Sequence, residues 1–134
     1  MNGASAQLNV KKVNNVWHML KLTYGLVPIV AGLDKFGFDF ITHWAQYLNP
    51  MITNAIPLST SHLLFLVGAI EIIAGIIVLS KWTRFGGYLV AVWLLVIVVN
   101  LVTMGKFYDI AVRDIVISIG AVALSMLTEA REGK

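Results

Sequence analysis

The sequence contains no cysteine. That excludes disulfides, thiolate metal sites, iron–sulfur clusters and thiol–disulfide exchange as chemistry intrinsic to the chain. Charge is scarce too. Asp, Glu, Lys and Arg make up 13% of residues, against about 25% in an average soluble domain. With 58% hydrophobic residues and a mean hydropathy of +0.81, a soluble fold of 134 residues could not hide its apolar surface. The solvent this composition fits is lipid. HExxH, Gly-rich phosphate-loop and Ser–His–Asp patterns are missing, so no metal, nucleotide or serine-hydrolase site is expected. The basic residues are too few for nucleic acid. The N-terminus, MNGASAQLNVKKVNNVW, has no short apolar stretch before a small-residue cleavage site. The first span is therefore expected to be retained as the insertion signal.

Four apolar runs are present, at about residues 16–36, 62–80, 85–103 and 110–127. Each approaches the ~20 residues that cross ~30 Å of hydrocarbon as a helix. Backbone groups in lipid must be paired within the segment, and none of the runs alternates with period two as a barrel strand would. The expectation is an all-α fold: one integral membrane four-helix bundle over 1–134. The turns at 81–84 and 104–109 are short, so the spans they join are antiparallel neighbours. The link from Gly37 to Ser61 is long. In it Phe40, Trp44 and Tyr47 fall at i, i+4 and i+7, which predicts a short amphipathic helix lying in the interface. Asn49-Pro50 is expected to stop that helix, and Ser59, Thr60 or Ser61 to cap the next. Lys11, Lys12, Lys21, Lys81, Arg84, Arg131 and Lys134 fall on one side, and Lys35, Lys106 and Arg113 on the other. This excess predicts both termini on the cytoplasmic side of the cell (inner) membrane, with the aromatic loop outside.

The remaining charges sit where lipid should be. Glu71 lies nine residues beyond His62, or ~13 Å down a helix. An ionisable group at that depth costs about 2.5–3.5 kcal/mol and must face protein or water. Gly68, Ala74 and Gly75 share its face, and small residues let helices approach closely. Glu71 reads equally as a structural acid that fixes helix register and as a proton or substrate handle. Asp34-Lys35 ends the first run. Lys35 alone reads as an anchor snorkelling to headgroups, whereas Asp34 calls for a protein partner. Gly25, Pro28, Gly32 and Lys35 share a face that could form a quinone-sized groove. Arg113-Asp114 opens the fourth run, above a polar and small stripe of Ser118, Ala121 and Ser125. Antiparallel threading brings Asp34, Lys35, Asn100, Arg113 and Asp114 to similar depth, and Arg113 has the reach to meet Glu71, with Lys35 as the second choice. One near-neutral buried cluster is cheaper than isolated charges. His18, His43 and His62 include no pair held inside neighbouring spans, which disfavours haem.

Three segments resemble the DoxX-like family of small four-span membrane proteins. They are TYGLVPIVAGLDKF (residues 23–36), GAIEIIAGIIVL (68–79) and RDIVISIGAVAL (113–124). The likeness covers the whole chain as an arrangement of spans. The family is named for similarity to the membrane subunit of an archaeal thiosulfate:quinone oxidoreductase, and related members are associated with redox assemblies. It has no agreed catalytic set, so the resemblance carries over only recurrent polar positions, here Asp34, Lys35, Glu71, Arg113 and Asp114. The arrangement is also similar to vitamin K epoxide reductase-like proteins, but those need cysteines. The resemblance implies a membrane subunit of a redox complex, with quinone as the cofactor it points to and membrane or periplasmic redox subunits as partners. A non-catalytic anchor or assembly subunit, and a small proton-coupled transporter using Glu71, are the alternatives.

Overall fold

The computed structural model describes residues 3–132, and Lys134, counted above toward orientation, lies outside them. Four long helices are apolar enough to cross a membrane: α1 (Gly3–Asp34), α3 (Thr60–Leu79), α4 (Thr83–Met104) and α5 (Tyr108–Glu132). A short helix, α2 (Pro50–Ala55), and a single 3₁₀ turn (Trp44–Tyr47) lie in the long link. Among the described residues there is no strand. The chain is an all-α, multi-pass membrane bundle.

The helix limits follow local chemistry. Nothing between Gly3 and Val16 breaks a helix, so α1 starts well before the expected residue 16. At 32 residues it is about 48 Å long, and its first turns extend past any bilayer core. Pro28 sits inside α1 without ending it. The Ser59 side chain caps α3 by accepting from His62 N at 3.2 Å. Gly105 closes α4 with φ +73°, a left-handed conformation that glycine adopts without steric cost.

One expected boundary is reversed. Asn49-Pro50 starts a helix rather than stopping one. Asn49 is the N-cap of α2, its side chain accepting from Met51 N at 2.9 Å. Pro50 fills the first helical position, where its missing N–H costs nothing. The aromatic stretch before it makes only the 3₁₀ turn.

The helices associate chiefly as two pairs, α1 with α3 and α4 with α5. Glycine makes the first pair close. A Cβ on Gly32 would lie 2.5 Å from the Gly68 carbonyl oxygen, and one on Gly68 would lie 2.6 Å from that of Gly32. Two turns further along, a Cβ on Gly75 would overlap the Gly25 carbonyl oxygen, and one on Gly25 would meet the Leu79 side chain and lie 3.3 Å from the Gly75 carbonyl oxygen. In the second pair Gly87 accommodates Ser125, whose hydroxyl donates to the Arg84 carbonyl at 2.8 Å. The stripe Asp114, Ser118, Ala121, Ser125 and Thr128 is buried along α5. Trp17, Ala74, Val78, Val90, Ala91, Ala121 and Leu124 form the apolar core. Large side chains such as Leu26, Val99 and Ile119 point outward, as suits helices surrounded by lipid.

Candidate functional site

The end of the bundle opposite the termini gathers most of the buried charge. Lys35 lies one residue past the end of α1, and its stem runs over the bare backbone of Gly68. Its ammonium reaches Glu71 on α3, 2.8 Å from one carboxylate oxygen and 3.0 Å from the other. The two side chains are 7% and 8% exposed, so this pair is screened from water. The Trp44 ring covers the ammonium, its centroid 3.6 Å from Nζ. Cation–π attraction of this kind reaches about 2 kcal/mol when desolvated.

Asp34 holds that ring in place. Its carboxylate accepts from Phe40 N at 2.7 Å, Ile41 N at 2.9 Å and Trp44 Nε1 at 2.8 Å. A carboxylate at a helix C-terminus is repelled by the helix dipole, and three N–H donors offset the repulsion. Asp34 and Lys35 therefore do not pair with each other. They are joined through Trp44, which donates to one and stacks on the other.

The partner expected for Glu71 is corrected by this geometry. Arg113 does not reach it. The Arg113 side chain is 64% exposed, and its Nε lies 3.6 Å from Asp114 Oδ1. Lys35 takes the place beside Glu71 because Gly68 leaves its stem a path inward. Lys35 is likewise not a snorkelling anchor: it is buried. Asp114 is buried on α5 close enough to Glu71 to act on it electrostatically. The Trp93 indole N–H approaches the Glu71 carboxylate too, but it finds no acceptor at hydrogen-bonding distance.

Asn100 lies outside the charged pair and does a different job. Its Oδ1 accepts from Asn49 N at 3.1 Å, and its Nδ2 donates to the Tyr47 carbonyl at 2.6 Å. The Asn49 amide donates to Thr103 Oγ1 at 2.7 Å. These bonds clamp the long link onto the end of α4. Tyr47 packs edge-on against Phe107 at 4.8 Å. Trp44 and Tyr47 thus both make protein contacts, from a single 3₁₀ turn that replaces the helix expected over Phe40, Trp44 and Tyr47.

The expected groove at Gly25, Pro28 and Gly32 is not open. The α3 backbone at Gly68 and Gly75 occupies it. An apolar slot lies instead on the neighbouring face of α1, lined by Leu26, Val27, Val30, Ala31, Ile41 and Trp44. Among the described residues, no three His, Asp or Glu side chains converge on a metal-sized site.

Reading residues by type overlooked three positions. Trp44 bears an aromatic signal, which does not reveal its contacts with Asp34 and Lys35. Asn49-Pro50 reads as a stop, although Asn followed by Pro is also a helix start. Trp17 donates to Thr128 Oγ1 at 2.8 Å and ties α1 to α5 at the opposite end; a tryptophan at the end of the polar N-terminal segment is its only sign.

No family model, no curated protein and no solved structure matches the chain.

Proposed function

We propose that this chain is a DoxX-like integral membrane subunit of a redox complex in the cell membrane, with both termini cytoplasmic, and that it serves as an anchor for partner subunits rather than as the catalytic centre. One observation carries the anchoring role. The Lys35 ammonium is occupied by two carboxylate oxygens and an aromatic ring. A proton carrier must exchange with water or a substrate, and this pair is closed to both. Its evident work is to fix the outer end of α1 against α3. The redox setting rests on the sequence resemblance, and the partners are membrane or periplasmic redox subunits.

A quinone-linked role is the second reading, favoured by the apolar slot beside Trp44. Ligand sites are lined mostly by apolar and aromatic side chains, and this slot offers such walls, with the Trp44 indole N–H committed to Asp34.

Purification from native membranes tests both. The anchoring reading expects a co-purifying partner, with any flavin, haem or quinone absorbance belonging to that partner. It also expects the pair-neutral variant Lys35→Met/Glu71→Leu to retain the complex. Quinone bound by the isolated chain, and lost on Trp44→Ala, would favour the second reading. Proton uptake that requires Glu71 would overturn both in favour of transport.

A further inference from the structure

The end of the bundle that carries both termini holds a second polar arrangement, unrelated to Glu71. A groove of about 400 Å³ runs between residues 9–14 of α1 and the last turn of α5. Asn9, Val10, Val13 and Asn14 line one wall, and Ala130 and Arg131 the other. Arg131 is held in a fixed pose. Its Nε donates to Asn14 Oδ1 at 2.9 Å, and its guanidinium stacks on the Trp17 ring at 3.8 Å. The opposite demand on Trp17 is met by Thr128, which accepts its indole N–H. Neither Nη of Arg131 has a partner among the described residues, and nor does the Asn14 amide nitrogen. Two fixed guanidinium donors and an amide donor thus border a groove with valine walls.

The surrounding charge is positive. Lys21 lies over the same Trp17 ring, 4.6 Å from its centroid. Lys11 and Lys12 occupy the same stretch of α1. All are within about a Debye length of 10 Å, along the helix at 1.5 Å per residue. Of the nearby acids, Glu129 is already engaged by Arg84 at 3.6 Å and by the Tyr88 hydroxyl. Glu132 is the next residue along α5 from Arg131, about 100° further round the helix. Depth decides the occupant. Asn14 and Asn9 lie about 30 and 38 Å along α1 from Asp34 at ~1.5 Å per residue, about the thickness of a hydrocarbon core and just beyond it, so the groove lies at headgroup level. Its valines face the first methylenes of a lipid.

We propose that this groove binds an anionic phospholipid, with the phosphodiester on the Nη groups of Arg131 and the acyl chains along Val10 and Val13. A phosphodiester offers two non-bridging oxygens to the guanidinium fork, the bidentate geometry that arginine favours. The site does not depend on the anchoring reading above.

The test uses the full chain, purified in neutral detergent and stripped of lipid. Phosphatidylglycerol, phosphatidylcholine and inorganic phosphate are each added, followed by native mass spectrometry and thermal unfolding. Phosphatidylglycerol is expected to stay bound and raise Tm, an effect that weakens with salt; phosphatidylcholine and phosphate are not. Arg131→Gln should weaken phosphatidylglycerol binding about tenfold or more, since it removes charge-assisted hydrogen bonds. Lys106→Gln, at the opposite end, should leave it unchanged. Asn14→Asp keeps the acceptor for Arg131 Nε but sets a carboxylate in the groove, so it covers the case in which Arg131→Gln fails to fold. It too should lose the lipid. Equal binding of phosphatidylcholine, equal stabilisation by phosphate alone, or full phosphatidylglycerol binding by Asn14→Asp would each overturn the proposal.

Discussion

Taking an ammonium and a carboxylate out of water costs several kcal/mol per ion before any attraction is counted. Lys35 and Glu71 offset that cost by near-symmetric contact and by the Trp44 ring. The pair's net worth is therefore small, whereas the penalty for breaking it is large. Glu71→Gln alone should cost about 3–5 kcal/mol, because it strands Lys35. Lys35→Met should cost a similar amount by stranding Glu71. The double variant should recover most of the loss, and Arg113→Gln should recover none when added to Glu71→Gln. Unfolding of the four proteins in detergent checks this, and additive losses for Lys35 and Glu71 would show that they do not act as a pair. Asp34 acts one step removed. Asp34→Asn leaves one acceptor oxygen for three N–H donors, so Trp44 should loosen. Red-shifted Trp44 emission, with Trp17, Trp82 and Trp93 replaced, and faster proteolysis between Phe38 and Tyr47 are the expected outcomes. The need for a buried partner was legible in Glu71 itself, as was the need of Asp34 for one. Which cation answers Glu71 was not. Counting along a helix gives depth, but the choice between Lys35 and Arg113 depends on the sideways path over Gly68.

Elements are positioned by what glycine omits. Gly25 and Gly32 on α1 and Gly68 and Gly75 on α3 are both seven residues apart, two helical turns, and the two antiparallel rows meet backbone to backbone. Helices in lipid gain little from hydrophobic burial against one another, so close packing is the main source of their association. Gly32→Ala and Gly68→Ala should each push the helices apart at a cost of about 1–3 kcal/mol, the usual range for overpacking. Gly120→Ala should cost less than either, because its new methyl displaces a side chain rather than a helix backbone, at the expense of the bond from the Tyr24 hydroxyl to the Ile117 carbonyl. Melting temperatures of the three variants would expose a different ordering. Both glycine rows could be seen in the sequence. One was read as a packing face and the other as an open groove, because a single chain does not say which face answers which. The four spans were legible from length and apolarity alone. The start of α1 and the sense of Asn49-Pro50 were not, because polar helix turns and Pro at a helix start leave no hydropathy signal.

At the scale of the whole molecule, the two ends carry unequal charge, and the structure sharpens the inequality. The end with the termini holds Lys11, Lys12, Lys21, Lys81, Arg84 and Arg131. On the opposite end Lys35 no longer counts as a free cation, because it is buried against Glu71, and Arg113 leans on Asp114. Lys106 is exposed there, over the Phe107 ring and without a carboxylate partner among the described residues. The bias that retains Lys and Arg on the cytoplasmic side acts on charges near span ends during insertion. It therefore predicts the termini and the 80–82 turn inside, with the Asp34–Trp44 latch outside. The chain has no cysteine, so single cysteines report without background. Ala45→Cys, exposed in the outer link, should react with a membrane-impermeant maleimide in intact cells. Lys81→Cys and Ala130→Cys should react only after permeabilisation. The reverse pattern would invert the topology while leaving the bundle intact. Labelling of Ala45 and Lys81 from the same side would be more severe, because α3 then could not cross the membrane between them.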